Sequence, residues 1–365
     1  MKYLLALLTV LFLRFDSRAQ AVYTISGTVK SSKGVALQSA TVFVAGSEKI
    51  MATDANGSFN FKVKPGIYQL VVTMVGYNPL RQTIVIENKD EVLDAKLDES
   101  ETVLNEVVIG SKVNKRRQWQ LDIFTSYFIG KGSNSKDCKI LNPQIIKFYE
   151  NQTALFAISS DFLIIENQAL GYRVRYLLKY FRGSFNGAYF HYDGDYSFEA
   201  LTGTPAQQAI WENNRKLAYQ GSMMHFLRSI YAGTARKEGF ILYEVTAYDR
   251  PVVDMRPMPV HPDQIIKRTG NNLARFKFGD SWFYTLFDKE KAALEDPVTG
   301  NKDVRLYRIP RNGTVYKIYG QFDSEGCIEE YDIKNLYISG FMAQKRVADQ
   351  LPFEYNPDKS PSSPN

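Results

Sequence analysis

Two cysteines and three histidines in 365 residues leave little material for metal or thiol chemistry. Cys138 and Cys327 lie 189 residues apart without a Cys-x-x-Cys spacing, which excludes a zinc knuckle and a thioredoxin-like redox motif. They are either bridged, for a gain of about 5 kcal/mol in the chain-entropy limit, or two separate buried thiols. His191, His225 and His261 precede Tyr192-Asp193-Gly194, Phe226-Leu227-Arg228 and Pro262-Asp263-Gln264, so no His-x-x-Glu pair exists. Gly-x-Ser-x-Gly, the strained turn that exposes a serine nucleophile, is also missing. No metal or other cofactor is expected.

Long apolar runs are scarce too. Leu4 to Leu13 is the only one near the start, about half of the roughly twenty residues a membrane-spanning helix needs. Lys2 precedes it, and Ser17-Arg-Ala19 and Ala19-Gln-Ala21 follow with small residues at cleavage positions. Residues 1–21 therefore read as a cleaved secretory signal, with no transmembrane segment left after its removal. The full chain carries +6; the signal takes three bases and one acid with it, leaving +4. Lys115-Arg116-Arg117 is the only tight basic cluster, which argues against a nucleic-acid partner.

What is present is β punctuation. Residues 23–97 alternate polar and apolar in short runs over 23–30, 39–46, 48–53, 57–63, 66–75, 80–87 and 91–97. Tyr23, Ile25 and Val29 share one face of the first run; Tyr68, Leu70, Val72 and Met74 share one face of the fifth. Asn56-Gly57 and Pro65-Gly66 supply turns. Asp54-x-Asn56-Gly57 opens like a calcium loop, but Pro65 stands where a twelfth-position Glu would be, so the turn reading prevails.

Ile25-Ser-Gly27-Thr-Val29, Gly34-Val-Ala-Leu37-Gln-Ser-Ala40-Thr-Val42, Asp54-Ala-Asn56-Gly57-Ser-Phe59, Gly66-Ile-Tyr68 and Val75-Gly76-Tyr77 together resemble the carboxypeptidase regulatory-like domain. That resemblance implies a seven-stranded transthyretin-like sandwich and an envelope protein. It implies no peptidase activity, because the zinc ligands of the peptidases are missing. Leu104-Asn-Glu106-Val107-Val108-Ile109 is similar to a patch that follows this sandwich in TonB-dependent outer-membrane receptors. The residues left after it are too few for a plug and a 22-stranded barrel.

The expected order is a signal at 1–21, the sandwich at 22–98, a linker at 99–112, a domain at 113–355 and a disordered tail at 356–365. The second domain reads as α+β and β-rich. A first helix over 115–130 would bury Trp119, Ile123 and Tyr127. Strands are expected at 154–158, 162–166, 171–181, 185–192 and 195–201, with Asp193-Gly194 as a hairpin turn. That turn also accounts for His191, Asp193 and Asp195 without a metal. Further strands are expected at 240–248, 274–278, 282–287, 303–309, 314–319 and 327–333.

Thr204-Pro205-Ala206-Gln207 is a capping box that starts one long amphipathic helix reaching about Tyr231, with Gly221 as its point of kinking. Ile210, Leu217 and Met224 form its expected core stripe. Trp211, Arg215, Ala218, Ser222, His225 and Ser229 form a second stripe, spaced 4-3-4-3-4. Trp211, Arg215, Ser222 and His225 are the candidate binding residues.

Four segments resemble an envelope family in which such a domain accompanies the sandwich, with no reaction to carry over: Cys138-Lys-Ile-Leu-Asn142-Pro143, Ile165-Glu166-Asn-Gln-Ala-Leu170-Gly171-Tyr172, the 211–228 run, and Ala348-Asp349-Gln-Leu351-Pro352-Phe-Glu-Tyr355. The expected function is an exported, non-catalytic module that docks an envelope protein, polysaccharide or peptidoglycan partner, in the periplasm or at the outer membrane. The alternatives are an envelope hydrolase using the 211–229 face and an accessory of a TonB-dependent uptake system.

Overall fold

Polar and apolar alternation builds the first seventy-odd ordered residues into two small sheets. The computed structural model describes residues 21–100, 115–187, 189–277, 281–294, 303–318, 320–329 and 336–358. The expected signal (all but its last residue), most of the linker with the Leu104–Ile109 patch, and most of the tail lie outside the described residues.

Seven strands come first: β1 (Tyr23–Ser31), β2 (Thr41–Val44), β3 (Ile50–Ala52), β4 (Ser58–Val63), β5 (Gly66–Thr73), β6 (Leu80–Ile86) and β7 (Glu91–Leu97). One sheet has the order β4-β1-β7 and the other β3-β2-β5-β6. Ile25 and Val29 face Phe59, Val42, Leu70, Val72, Ile86 and Leu97 across a shared core. The Asp54–Gly57 corner is a turn: Asp54 Oδ1 accepts the Asn56 and Ser58 N–H groups, and Gly57 takes φ +74. β5 is buried on both faces, because Ile67 turns away from the sandwich core to pack with Leu273 and Cys327.

A second sheet holds β8 (Cys138–Ile140), β9 (Ile146–Glu150), β10 (Ala154–Ser159), β11 (Leu163–Asn167), β12 (Tyr172–Ser184) and β13 (Phe190–Ala200). Thirteen-residue β12 pairs β11 and β10 along one side and β13 along the other. Helix α1 (Lys115–Phe128) covers this sheet through Phe124 and Phe128. The expected Trp119–Ile123–Tyr127 stripe is thus rotated by one residue. Trp119 lies partly exposed beside Phe185, with the Arg116 guanidinium 4.3 Å above its ring.

Asp193-Gly194 is not a turn. It sits inside β13, and the turn follows β12 at Phe185-Asn186-Gly187 instead. The glycine is required by close approach: a Cβ there would lie 2.4 Å from the Leu177 carbonyl oxygen and 2.4 Å from the Tyr176 ring.

The two helices α2 (Pro205–Tyr219) and α3 (Met223–Ala232) lead to a third sheet system. It contains β14 (Phe240–Asp249), β15 (Val252–Met255), β16 (Ile266–Gly270), β17 (Leu273–Phe276), β18 (Trp282–Phe287), β19 (Val304–Leu306), β20 (Gly313–Ile318), β21 (Gln321–Asp323) and β22 (Leu336–Gly340). Six strands run in the order β19-β15-β14-β18-β20-β22, and β16-β17-β21 form a small sheet beside them. The 327–333 run expected as a strand instead places Cys327 after a turn closed by Asp323, with Ile328 making a single bridge to Phe322.

One long helix is likewise replaced by two. Gly221 takes φ +67 and Ser222 caps the new start by accepting the His225 N–H at 3.1 Å. The stripe assignment is reversed as well: Ile210 and Leu217 are 60% and 58% exposed, whereas Trp211, Ala218, His225 and Ser229 are buried. The chain is mostly β, and no helix among the described residues is long and apolar enough to cross a membrane.

Candidate functional site

The buried stripe on α2 grips a turn. Trp211 Nε1 donates to the Gln168 carbonyl at 2.7 Å, Asn214 Nδ2 to Ala169 at 2.8 Å and Arg215 Nε to Leu170 at 2.7 Å. Arg215 also donates to Gly171 and lies 4.1 Å over the Tyr172 ring. Four successive carbonyls of the 168–171 turn are thereby satisfied by one helix face. Gly171, at φ +68, is the residue against which Trp211 closes; a Cβ would come within 2.2 Å of the indole.

His225 is also held internally. Its Nδ1 accepts the Gly221 N–H at 2.9 Å, so Nε2 carries the proton it shares with Glu238 Oε2 at 2.8 Å. Tyr219, Phe240 and Phe287 pack around the ring. The His225 hydrogen bond holds the Glu238 carboxyl below its usual range. Both imidazole nitrogens are therefore engaged away from the Ser222 hydroxyl, and a Ser222–His225 nucleophile pair is not assembled. The two cysteines are free and buried in different cores, Cys138 under α1 and Cys327 beside Ile67, so the bridged alternative is not what the fold uses. Burial pushes the Cys138 thiol up to about 12.

Of the four candidate residues, Ser222 alone borders the main concavity, a cleft of about 910 Å³ between the second and third sheets. Its lining includes two consecutive runs from strand regions, 189–193 at β13 and 337–340 in β22, which face each other across the gap. Side chains alternate between the faces of a strand, so a cleft that meets every residue in turn is bordered by the strand's edge. β13 pairs with β12 and β22 with β20; on their outer sides both end their sheets.

The outward direction on β13 is set by its far end. Gly46 N–H donates to the Tyr196 carbonyl and Phe198 N–H to the Ser47 carbonyl, both reaching across from the sandwich. The Gly194 N–H is taken by Asp193 Oδ1. By the two-residue period, the main-chain groups of Tyr192 and Phe190 turn the same way, toward the cleft.

A strap at 346–355 closes the cleft and ties the cores together. Arg346 lies 3.8 Å over the Phe190 ring, and burial draws its guanidinium below the usual value. Lys345, also lowered by burial, donates to the Leu217 and Ala218 carbonyls at the end of α2. Further along, Ala348 N–H donates to Ile129 O, and Phe353 N–H donates to Gly46 O. Arg228 donates to the carbonyls of Phe353 and Tyr355.

Two more contacts fix the sandwich to the rest. Arg81 of β6 pairs with buried Asp195 of β13. Asp323, almost fully buried, accepts N–H groups from Ile67 across the joint and from Glu325 and Cys327 in its own turn. Nothing in the local sequence signals either the cleft or the joint, since both are made by residues more than a hundred positions apart.

Residues 25–109 match the CarboxypepD_reg-like domain. The TonB-dependent receptor SusC of Bacteroides thetaiotaomicron is 32% identical over 99 residues, which is 26% of this chain and 10% of the receptor. The chain thus spans about a tenth of that relative. Among solved structures, a DUF3823 family protein from Bacteroides ovatus aligns at 10% identity over 50% of this chain and 100% of its own, with a TM-score of 0.19. Catechol 1,2-dioxygenase from Acinetobacter radioresistens aligns at 14% identity over 28% and 58%, with a TM-score of 0.21.

Proposed function

Starting from a CarboxypepD_reg-like domain docked onto two larger sheets, we propose that the chain is an exported, non-catalytic module of the cell envelope. In this reading the seven strands form a transthyretin-like sandwich that acts as a docking or spacer element. The region behind it holds an extended segment of a partner protein between β13 and β22. The observation that carries the reading is the cleft's border: two strand edges, met residue by residue, with main-chain groups of Phe190 and Tyr192 directed into the gap. An edge of this kind accepts an added strand through main-chain hydrogen bonds. Trp211, Arg215 and His225 then act as scaffold, and Ser222 stands at the rim. The SusC similarity supports an outer-membrane setting and, as a second reading, service beside a TonB-dependent uptake system.

The test is selection of ten-residue peptides from an unbiased display library, followed by hydrogen exchange of the bound protein. Selected peptides are expected to slow exchange at Phe190 and Tyr192 and to lose binding when Ala343→Trp fills the cleft. Peptides that bind while leaving those amides unprotected would remove the strand-addition reading.

A further inference from the structure

The main cleft does not end at β22. A second cleft of about 520 Å³ continues from it, the two sharing Arg250, Ser339, Gly340 and Gln344. Arg250 comes from the β14–β15 turn, and Arg308 and Arg311 from the β19–β20 connection. Pro251, Ile309 and Pro310 complete the lining with the shared residues, so among the described residues no carboxylate borders this second cleft.

These three arginines differ from their neighbours. Arg305, three residues before Arg308, forms a two-pronged pair with Asp254. Arg268 pairs with Asp263, and Arg228 with Glu325 and two carbonyls. Arg250, Arg308 and Arg311 make no hydrogen bond or ion pair among the described residues, and all three are exposed. Their backbone is nonetheless anchored: Gly313 N–H donates to Pro310 O, and Phe287 N–H donates to Asn312 O.

Three cations on two fixed loops, with Asp254 committed to Arg305, create a local positive field that the fold does not use. A guanidinium offers a planar fork of donors that fits a carboxylate. The field extends back to the strand edge, where burial and then Arg182 and Arg250 lower the pKa of His191.

We propose that Arg250, Arg308 and Arg311 form an anion-reading subsite, so that the extended segment held along β13 and β22 is an acidic peptide whose carboxylates enter the second cleft. This rests on the strand-addition reading above. A strand presents alternate side chains to one side at a repeat of about 6.6 Å, which lets one peptide address the edge with its main chain and the arginines with every second side chain.

The experiment measures fluorescence anisotropy of the full chain with two labelled ten-residue peptides, one alternating Thr and Glu and one alternating Thr and Gln. A galacturonate oligosaccharide of matched charge serves as competitor. The Thr/Glu peptide is expected to bind about tenfold tighter than Thr/Gln at low salt, the gap narrowing as salt rises. The triple change Arg250→Gln, Arg308→Gln, Arg311→Gln is expected to abolish that gap while leaving Thr/Gln affinity and the melting temperature in place. Equal affinity for both peptides overturns the anion subsite and leaves strand addition standing. Binding of neither peptide overturns both, and displacement of the Thr/Glu peptide by galacturonate at equal potency assigns the arginines to an acidic saccharide instead.

Discussion

The sandwich and the sheets behind it are built from the same antiparallel pairing, but they finish their edges differently. In the sandwich two of the four outer strands are short or charged: β3 has three residues, and β7 shows Glu91, Asp94 and Lys96. Such edges discourage pairing with another chain. In the region behind, β13 carries Phe190 and Tyr192 to an edge that faces a cleft, and β22 faces it from the other side. The contrast separates edges that discourage an added strand from edges that border a cleft. It also locates the joint between them, where Asp323, Arg81 and Phe353 couple one to the other.

The strongest way to break that comparison is at Asp323. Asp323→Ala leaves the Ile67 and Cys327 N–H groups buried without an acceptor and frees the part-buried Glu325 N–H, and a loss of about 3–5 kcal/mol is expected in urea unfolding. A loss under about 1 kcal/mol would mean that the joint is not a cooperative part of the fold.

The same carboxylate sets a pH dependence. Burial, against the three N–H donors, pushes Asp323 up to about 6 from an ordinary 3.8, with Glu325 adding to the rise. Between those values the folded chain binds more protons than the unfolded one, so stability is expected to fall as pH rises from about 4 to about 6 and to level above. The magnitude is on the order of 3 kcal/mol. Unfolding measured across this range in wild type and Asp323→Asn checks it: a slope that survives the substitution belongs to other groups.

Within the sandwich alone, Gly57→Ala forces a left-handed residue and sets a Cβ 2.4 Å from the Val29 carbonyl oxygen. A loss of about 2 kcal/mol is expected, with amide exchange accelerating in β1 and β4 and little change in β14. Equal acceleration in both regions would show the two parts to be one cooperative unit and erase the distinction drawn between them.

How far the sequence could be read followed the range of the contacts. Asp54, Asn56 and Gly57 bond within five residues of each other, so that corner and the seven strands around it are visible locally. The Thr204–Gln207 capping box is visible for the same reason. Gly194 was misleading because Asp-Gly serves a hairpin in one setting and a close strand approach in another; only Tyr176 and Leu177 across the ladder decide between them. On α2 both stripes carry apolar residues at helical spacing. The one that is buried is chosen by the 168–171 carbonyls, which need Trp211, Asn214 and Arg215 as donors. The cleft left no local trace, since its walls lie about 150 positions apart. Asp254, on the strand beside β19, turns to Arg305 and leaves Arg308 unpaired, which spacing along the chain does not reveal.

The strap at 346–355 is made after every element it touches. Sandwich, second sheet and helix pair can each close as their own strands are completed, and Arg81–Asp195 and Asp323–Ile67 already join the sandwich to the rest; the strap adds the last ties among them. Until then the Gly46 and Ile129 carbonyls lack the strap's N–H donors, and Arg228 has Glu325 but not the Phe353 and Tyr355 carbonyls. A chain cut short before residue 346 would keep the Arg81–Asp195 and Asp323–Ile67 joints but lose the strap's share of the cleft lining, Arg346, Asp349, Gln350, Leu351 and Phe353.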